Sequence, residues 1–215
     1  MSPARYNANT GDEEEFEPGS RGRVLKNRLS IKRKMAMDEA EVSALVRAQA
    51  TYLDQITNAT VFTADMICQM HYDWLGEIYP WAGTYRSVEL SKGGFSWPPA
   101  FRVANNMARF EEQLLKPSTP FRAKSLAKDV IRLAEIHAEI LLIHPFREGN
   151  GRLARWLADL MCLQADLPQP DYGFVGVGSR KCRRAYLDAV IQGYQKNYRP
   201  LADFFRDALE RSTSG

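Results

Sequence analysis

The sequence predicts an all-α fold, a helical bundle that carries one small β-hairpin. Apolar residues recur at helical spacing over most of the chain, whereas the stretch TYRSVELSKGGFSWPP alternates apolar and polar residues around two glycines. We find no internal repeat and no long linker. We therefore expect a single domain over residues 21–211, large enough to bury a core without the help of metals or disulfides.

Two helices are predicted before the hairpin. The first runs from Asp38, which can cap it, to about Thr57. Its predicted apolar face consists of Val42, Leu45, Val46, Tyr52 and Leu53. The second follows the capping residue Thr63 and must end before Pro80. Its predicted apolar face consists of Met66, Ile67, Met70 and Trp74.

The predicted hairpin lies within residues 85–98. Tyr85, Val88 and Leu90 alternate with polar side chains, and Gly93-Gly94 supplies the turn. Because two strands of this length are not stable alone, we expect the hairpin to lie over another part of the chain.

The helical pattern resumes after the hairpin. One apolar face is predicted for Phe101, Val103, Met107, Phe110 and Leu114, and a second, after Ser125, for Leu126, Val130, Leu133, His137, Ile140 and Leu141. The helix after Ser125 should end at His144, because helical geometry is disfavoured before a proline. The next segment, a loop and helix over residues 144–165, has an apolar face of Leu153, Trp156, Leu157, Leu160 and Met161. After the loop LPQPDYGF, two more helices are predicted at about 180–196 and 200–210.

Composition excludes several classes of protein. The 29 basic and 26 acidic residues give a net charge of +3, too balanced for a dedicated nucleic-acid binder. The three cysteines, Cys68, Cys162 and Cys182, are far apart and form no CxxC pair, which favours reduced thiols and gives no support for zinc.

The ends of the chain are polar. Residues 1–20 are predicted to be a mobile acidic tail closed by Pro18 and Gly19, and residues 212–215 a flexible end. The acidic start is the reverse of a signal sequence, and no apolar run reaches the length of a membrane span. We expect a cytoplasmic protein with no membrane partner.

The stretch HPFREGNGRLAR, His144 to Arg155, carries more chemistry than a packing segment needs. A histidine at a helix end can take a proton from a hydroxyl nucleophile, and GNG before a new helix directs backbone N–H groups at an anion. Arg152 and Arg155 are three residues apart, so they share a helix face and suit phosphate oxygens. Glu148 is placed to hold magnesium already bound to those phosphates. Together these residues indicate transfer of a phosphorus-containing group.

Each of these signals has an ordinary structural interpretation when it stands alone. A histidine at a helix end is usually a surface or core residue, and GNG is a common turn. The standard nucleotide motifs are absent from the sequence: there is no GxxxxGK[ST], and GVGSRK, residues 176–181, does not fit GxGxxG. The functional interpretation depends on the combination.

That combination resembles the HPFx[D/E]GN[G/K]RxxR signature of Fic-domain proteins at every fixed position. VLKNRLSI resembles the family's N-terminal entry, GEIYPWAGTYR the segment before its flap, and SKGGFSWPPAF the flap hairpin over the active site. The resemblance implies the Fic fold and transfer of AMP from ATP to a target protein's hydroxyl, with release of pyrophosphate. The cofactors implied are ATP as co-substrate and Mg²⁺.

The resemblance also implies roles for individual residues. His144 would deprotonate the target hydroxyl, Phe146 would anchor the loop, and Glu148 would hold magnesium. Tyr186 matches a tyrosine that borders the adenine, and where family members carry asparagine eight residues later this chain has Tyr194. The implied ATP and phosphate contacts are Glu148, Gly149, Asn150, Gly151, Arg152, Leu153, Ala154, Arg155, Lys92, Gly93, Gly94, Phe95 and Tyr186.

Partners follow from a further comparison with the family. Many Fic proteins carry an inhibitory [S/T]xxxE[G/N] helix, and no such motif occurs in these residues; the nearest match, Thr10 to Glu14, is followed by Glu15. The chain thus resembles bacterial toxins held by a small separate antitoxin, whose targets tend to be the ATPase subunits of DNA gyrase and topoisomerase IV. Such a protein acts in the bacterial cytoplasm, or in another cell if a secretion domain lies outside this chain.

Two alternative functions remain open at this point. One is a Fic-fold transferase of UMP or phosphate, although the kinase-like branch has lysine where this chain has Gly151. The other is a binding module that has lost catalysis, which the complete motif disfavours.

The remaining candidate residues have structural interpretations. We expect His137 in the core and His71 in a surface or structural position. The basic runs RGRVLKNRLSIKRK and SRKCRR lack interleaved aromatics, and the second is expected to begin a helix rather than to bind nucleic acid. Arg147 receives no role.

Overall fold

The computed structural model describes residues 12–213, which form two compact units. The first contains residues 12–55, 63–108 and 143–153, and the second residues 56–62, 109–142 and 154–213. Within these residues the regular secondary structure is helical apart from one two-stranded hairpin and one isolated β-bridge, in agreement with the predicted all-α fold with a small hairpin. No helix within residues 12–213 combines the length and apolar character needed to span a membrane.

The first unit is built on two helices that pack together, α1 (Lys34–Gln55) and α2 (Ala64–Leu75). Thr63 caps α2 as predicted, accepting a hydrogen bond from the backbone N–H of Met66 at 3.1 Å. Polar contacts join the helices. The Tyr52 hydroxyl donates to Asp73 at 2.9 Å, and the Trp74 indole N–H donates to the backbone oxygen of Glu41 at 2.8 Å.

The prediction for α1 was wrong in its start and, apart from Tyr52, in its buried face. The helix begins at Lys34, and Asp38 lies inside it, paired with Lys34 one turn earlier. Val42, for example, is 53% exposed. The residues that α1 buries are Met37, Glu41, Ala44, Ala48 and Tyr52. Small alanines let α1 and α2 approach closely, and Glu41 finds charged and polar partners in the interior, so the most apolar stripe is left outside.

The hairpin consists of strands β1 (Ser91–Lys92) and β2 (Phe95–Ser96), paired antiparallel with Lys92 opposite Phe95. Gly93 and Gly94 turn between them with φ of 58° and 83°, a region open to glycine. The strands are shorter than the predicted alternation over 85–98. Val88 and Leu90 are buried but belong to the irregular chain that leads into β1.

The segment after the hairpin contains a change of helical register. A 3₁₀ turn, Ala100–Arg102, leads into α3 (Val103–Phe110), a π turn over Glu111–Leu115 and the short α4 (Lys116–Ser118). The π turn rotates the following residues, so Leu115 is buried where the sequence predicted Leu114. Phe101, predicted on the apolar face, is 79% exposed because it precedes α3.

The second unit contains most of the remaining helices. These are α5 (Leu126–Ile143), α6 (Asn150–Gln164), α7 (Ser179–Gly193) and α8 (Arg199–Thr213). α5 ends one residue before His144 and α7 begins within SRKCRR, both as predicted. The predicted apolar face of α6 is buried, and α7 packs against α8. The boundary between the units falls within α6, after Leu153.

The predicted acidic tail falls partly outside the described residues, which begin at 12, and the predicted flexible end extends beyond the last of them, 213. Residues 12–20 do not have the contacts of a free tail. Phe16 bridges Leu25, and the buried Glu17 carboxylate accepts hydrogen bonds from the backbone and side-chain nitrogens of Asn27, both at 3.3 Å. Partners further along the chain therefore hold acidic residues that composition alone assigned to the solvent.

Candidate active site

The histidine of the motif stands just beyond the end of α5. His144 has φ of 52°, so the chain leaves helical geometry there in the left-handed region. The sequence predicted an imidazole at a loop mouth, but His144 is only 4% exposed. The reason is Trp97, just after β2, whose ring centroid lies 4.1 Å from that of the imidazole.

Arg86 joins the base of the hairpin to the motif loop. Its Nε donates to the His144 backbone oxygen at 2.7 Å, and its Nη1 and Nη2 donate to the backbone oxygens of Val88 at 2.8 Å and Pro98 at 2.6 Å. Its backbone N–H also donates to the Pro145 oxygen at 2.8 Å. Sequence reasoning missed Arg86, because every acceptor it uses is a main-chain oxygen that leaves no pattern in the sequence.

The centre of the loop is held by Phe146 and Asn150. The Phe146 ring is fully buried, as predicted for an anchor, and stacks on the His71 imidazole with centroids 3.9 Å apart. The Asn150 side chain accepts from the Phe146 N–H at 2.9 Å and donates to the Phe146 oxygen at 2.7 Å. The amide thus fixes the loop, and only the backbone of Asn150 remains for the predicted anion cradle.

The cradle lies at the N-terminus of α6. Gly149 has φ of 86°, and a Cβ on it would lie 2.8 Å from the Trp74 ring, so glycine is required here on two counts. The N–H groups of Arg152 and Leu153 both donate to the Gly149 oxygen at 3.0 Å. The N–H groups of Asn150 and Gly151 lie in the first turn of α6, where the helical hydrogen-bond pattern provides no carbonyl to accept from them. Gly151 itself is helical rather than left-handed, so only the first glycine of GNG makes the turn.

Glu148 is buried beside this helix start. Its Oε1 accepts from the Gly149 N–H at 2.9 Å and lies 3.5 Å from Nη2 of Arg152. Magnesium in nucleotide sites is commonly held by one or two carboxylates together with substrate phosphates. A single carboxylate at an anion-binding helix N-terminus fits that donor set, so Glu148 would hold a magnesium ion that arrives with a nucleotide.

Two further residues of the site were missed by the sequence. Glu41 on α1 is 2% exposed, and its Oε2 lies 2.7 Å from Nη2 of Arg152 as an ion pair. The Arg152 guanidinium also lies 4.6 Å above the Trp74 ring centroid. Glu41 carried no signal, since an acid on a helix is usually exposed.

His71 is the second missed residue. The sequence predicted either a surface or a structural position for His71. The structure shows the structural one: the side chain is fully buried and supports the motif directly. The Gly83 N–H donates to its Nδ1 at 2.8 Å, so Nε2 carries the proton and donates to the Glu148 backbone oxygen at 3.1 Å. Burial lowers the pKa of His71 to about 4, which keeps this imidazole neutral.

The first unit thus brings together His144, Glu148 to Leu153 and the hairpin. Within the hairpin, the predicted contacts Lys92 to Phe95 are exposed, and the Phe95 ring packs edge-on against Trp97 at 5.3 Å. Leu153 is buried, so its side chain packs in the interior and does not line the exposed surface of the site.

The other predicted contacts, Ala154, Arg155 and Tyr186, belong to the second unit. The Arg155 guanidinium carbon lies 5.9 Å from the ring centroid of Tyr172, 5.2 Å from that of Phe174 and 5.8 Å from that of Tyr186. These rings hold the cation by cation–π attraction. Ala154 is buried.

His137 lies in the core of the second unit, as predicted. Its Nδ1 is 3.1 Å from the Ala154 backbone oxygen, which can only accept, so Nε2 accepts from the Tyr186 hydroxyl at 2.8 Å. Tyr186 is therefore buried and anchored by its hydroxyl. Burial lowers the pKa of His137 to about 3.

A half-buried acid, Asp159, follows Arg155 one turn later on α6. The Tyr172 hydroxyl donates to Asp159 at 2.7 Å. Burial raises the pKa of Asp159 to about 6, against the opposing effects of the hydrogen bonds and the Arg155 charge. No sequence pattern singled out Asp159 as a functional residue.

Arg147, without a predicted role, reaches the N-terminal segment. Its Nε donates to the Glu13 backbone oxygen at 3.1 Å, and the Glu13 carboxylate accepts from the N–H and hydroxyl of Ser87 at 3.2 and 3.3 Å. Burial raises the pKa of Glu13. The segment before the first helix therefore contacts both the motif and the approach to the hairpin.

Comparison with known proteins agrees with this geometry. Residues 61–162 match the sequence model of the Fic/DOC family. Protein adenylyltransferase Fic of Nematostella vectensis is 26% identical over 198 residues, 88% of this chain and 42% of that protein. Protein adenylyltransferase VbhT of Bartonella schoenbuchensis is 26% identical over 132 residues, 61% of this chain and 27% of that protein. The chain thus spans less than half the length of these relatives.

Solved structures show the same fold. The BepC protein of Bartonella tribocorum, a VirB-translocated effector crystallised with bound AMPPNP, superposes with a TM-score of 0.70 at 20% identity. The superposition covers 86% of this chain and 91% of that one. The N-terminal Fic domain of a Bartonella effector protein from Bartonella sp. AR 15-3 superposes with a TM-score of 0.74 at 18% identity, over 90% of this chain and 89% of that one, so the helical architecture with its small hairpin is the Fic fold.

Proposed function

The chain carries a Fic domain, and from that premise we propose that it is a protein adenylyltransferase. It would transfer AMP from ATP to a hydroxyl side chain of a target protein. Two curated relatives from distant organisms bear that activity in their names, and BepC, which shares the fold, holds AMPPNP.

The observation that carries the proposal is the braced loop between His144 and the start of α6. Arg86 fixes the loop at His144, the Asn150 amide fixes it at Phe146, and His71 fixes it at Glu148. A loop held at so many points offers a base, a carboxylate and helix N-terminal N–H groups in one preorganised arrangement. Such preorganisation is what phosphoryl chemistry demands of a protein.

His144 is the proposed general base. Its imidazole takes the proton of the target hydroxyl as that oxygen forms a bond to the α-phosphorus of ATP. The bond from the α-phosphorus to the bridging oxygen breaks, and pyrophosphate leaves with the electron pair. Trp97 covers His144, so the hairpin must shift for the hydroxyl to enter.

The phosphates would lie at the N-terminus of α6, against the N–H groups of Asn150 and Gly151. Arg152 and Arg155 would contact the β- and γ-phosphates. Glu148 would hold magnesium, which neutralises charge on the departing pyrophosphate when it is bound. Lys92 to Phe95 and Tyr186 remain proposed contacts of the nucleotide, the first also of an added target strand.

Labelled ATP tests the reaction. The full chain is incubated with a bacterial lysate and ATP labelled at the α- or at the γ-phosphate. Protein labelling from the α-position supports AMP transfer, and labelling from γ alone supports phosphate transfer instead. Labelled UTP tests UMP transfer, and no label from any donor points to a binding module.

We extend the proposal to regulation and target. A small antitoxin would supply the missing [S/T]xxxE[G/N] helix and place its glutamate against Arg155, and the targets would be the ATPase subunits of DNA gyrase and topoisomerase IV. The reaction would take place in the bacterial cytoplasm, where ATP is available. Expression of the chain alone in bacteria should be toxic, and co-expression of a neighbouring small protein with that motif should remove the toxicity.

Purified subunits test the target. α-labelled ATP should mark the gyrase and topoisomerase IV ATPase subunits, and His144→Ala should abolish the label. Label on other lysate proteins, with none on these subunits, would refute the target and leave AMP transfer standing.

A further inference from the structure

Glu41 is a charged residue buried in α1, a helix outside the motif. It is 2% exposed, and burial of an unpaired carboxylate is strongly unfavourable. Two contacts compensate for it. The Tyr79 hydroxyl donates to Oε1 at 2.7 Å, and Nη2 of Arg152 lies 2.7 Å from Oε2. Oε1 thus accepts a hydrogen bond, whereas Oε2 faces the Arg152 cation as an ion pair without hydrogen-bond geometry.

Arg152 stands between two carboxylates. Its Nη2 is 2.7 Å from Glu41 but 3.5 Å from Glu148, its neighbour one helical turn earlier. The Trp74 ring lies under the guanidinium at 4.6 Å, and the same indole donates its N–H to the Glu41 backbone oxygen. The arginine side chain remains 17% exposed, so part of its donor fork faces outward.

We propose that Glu41 is a positioning residue, which draws the Arg152 guanidinium towards its own carboxylate, keeps the Arg152–Glu148 ion pair at its longer distance and so leaves the Glu148 carboxylate able to bind magnesium. This inference rests on the proposed function, because it assigns the use of the same site. We assign Glu41 no contact of its own with the nucleotide or the target.

The physical reason is a competition between acceptors. An arginine and a glutamate one turn apart on a helix pair readily, and Nη2 of Arg152 already lies at ion-pair distance from Glu148, so a shift of under 1 Å would close that contact to a hydrogen bond. A closed Arg152–Glu148 pair would take the donor meant for a phosphate and the acceptor meant for a cation. Glu41 prevents this by offering Arg152 a fixed carboxylate on the other side.

Glu41→Gln tests the proposal, since glutamine keeps the size and the Tyr79 hydrogen bond but loses the charge. The matched control is Glu39→Gln, an exposed glutamate on the same helix. One readout is the crystal structure of each variant without nucleotide. The other is the dissociation constant of AMPPNP, measured by calorimetry with and without Mg²⁺.

We expect Arg152 to move onto Glu148 in Glu41→Gln, and the tightening of AMPPNP binding by Mg²⁺ to shrink about tenfold, the scale of one charge-assisted hydrogen bond. Glu39→Gln should match the wild type in both. An unmoved Arg152, or an unchanged effect of Mg²⁺, would overturn the proposal.

If Glu41→Gln does not fold, Tyr79→Phe decides the matter, because it removes only the hydroxyl that fixes Oε1. A smaller change in the same direction supports the proposal, and none refutes it. Neither readout requires catalysis. A wild-type chain that fails to transfer AMP would refute the proposed function, but the position of Arg152 and the effect of Mg²⁺ on AMPPNP binding would still test the role of Glu41.

Discussion

The His71 imidazole donates its Nε2 proton to the backbone oxygen of Glu148 across 3.1 Å, while its Nδ1 accepts the Gly83 N–H across 2.8 Å. One buried side chain on α2 therefore fixes both the motif loop and the turn that leads towards the hairpin. Its stacking on Phe146 makes it part of the support of the site.

His71→Ala should destabilise the protein by about 3 kcal/mol, because it leaves a cavity and strands two buried polar groups. AMP transfer should fall at temperatures where the variant is still folded, since Glu148 loses its backbone restraint. Urea unfolding and the transfer assay measure the two effects. Gln69→Ala, exposed on the same helix, is the control and should change stability by less than about 1 kcal/mol. Unaltered transfer in folded His71→Ala would contradict the supporting role.

Stability should fall with acid because of the two buried histidines. Their folded pKa values, about 4 for His71 and about 3 for His137, lie below the ordinary 6.5, so the unfolded chain binds more protons between those values. The stabilisation is complete above pH 6.5 and is lost as pH falls towards 4, by on the order of 3 kcal/mol per histidine. Urea unfolding at a series of pH values measures it. His137→Gln should flatten the profile; an identical profile would show that this histidine does not titrate as expected.

Asp159 should act in the opposite direction. Its folded pKa of about 6 lies above the ordinary 3.8, so protonation favours the folded state and stability is lost as pH rises through this range. Asp159→Asn removes that loss. Between pH 4 and pH 7, the free energy of unfolding of the variant should rise relative to that of the wild type by on the order of 2 kcal/mol. The same urea unfolding series measures it. A constant difference between the two proteins across that range would refute the raised pKa.

Arg155→Ala should weaken ATP binding more than ADP binding, because the proposed contact is the γ-phosphate. The expected loss for ATP is about tenfold to a hundredfold, the worth of a charge-assisted pair. Calorimetry with both nucleotides measures it. Arg183→Ala is the matched control, since Arg183 also lies over the Phe174 ring, at 4.8 Å, but belongs to α7 and not to α6. Equal losses for ATP and ADP would place Arg155 elsewhere.

His144→Ala should abolish AMP transfer and leave the fold and ATP binding within a few-fold of the wild type. The imidazole is the proposed base, while the loop is held at this residue through its backbone oxygen, which alanine keeps. Circular dichroism, calorimetry and α-labelled ATP give the three readouts. Transfer close to the wild-type rate would remove His144 from the mechanism.

The helical fold, the hairpin and the identity of the motif could all be predicted from the sequence. These are local properties. The end of α5 follows from the proline after His144, the hairpin turn from Gly93-Gly94, and the start of α6 from Gly149, because each depends on the conformations open to one or two residues.

The buried face of α1 and the residues that support the motif depend on tertiary packing, and they became visible only in the structure. Helical periodicity finds the most apolar stripe, but burial also depends on the partner helix, and Glu41 is inside because Arg152 and Tyr79 meet it there. Leu115 is buried instead of Leu114 because a π turn inserts a residue into the register. Arg86 and His71 bind main-chain atoms of residues far along the chain. Because every residue has these atoms, no sequence pattern predicts the two contacts.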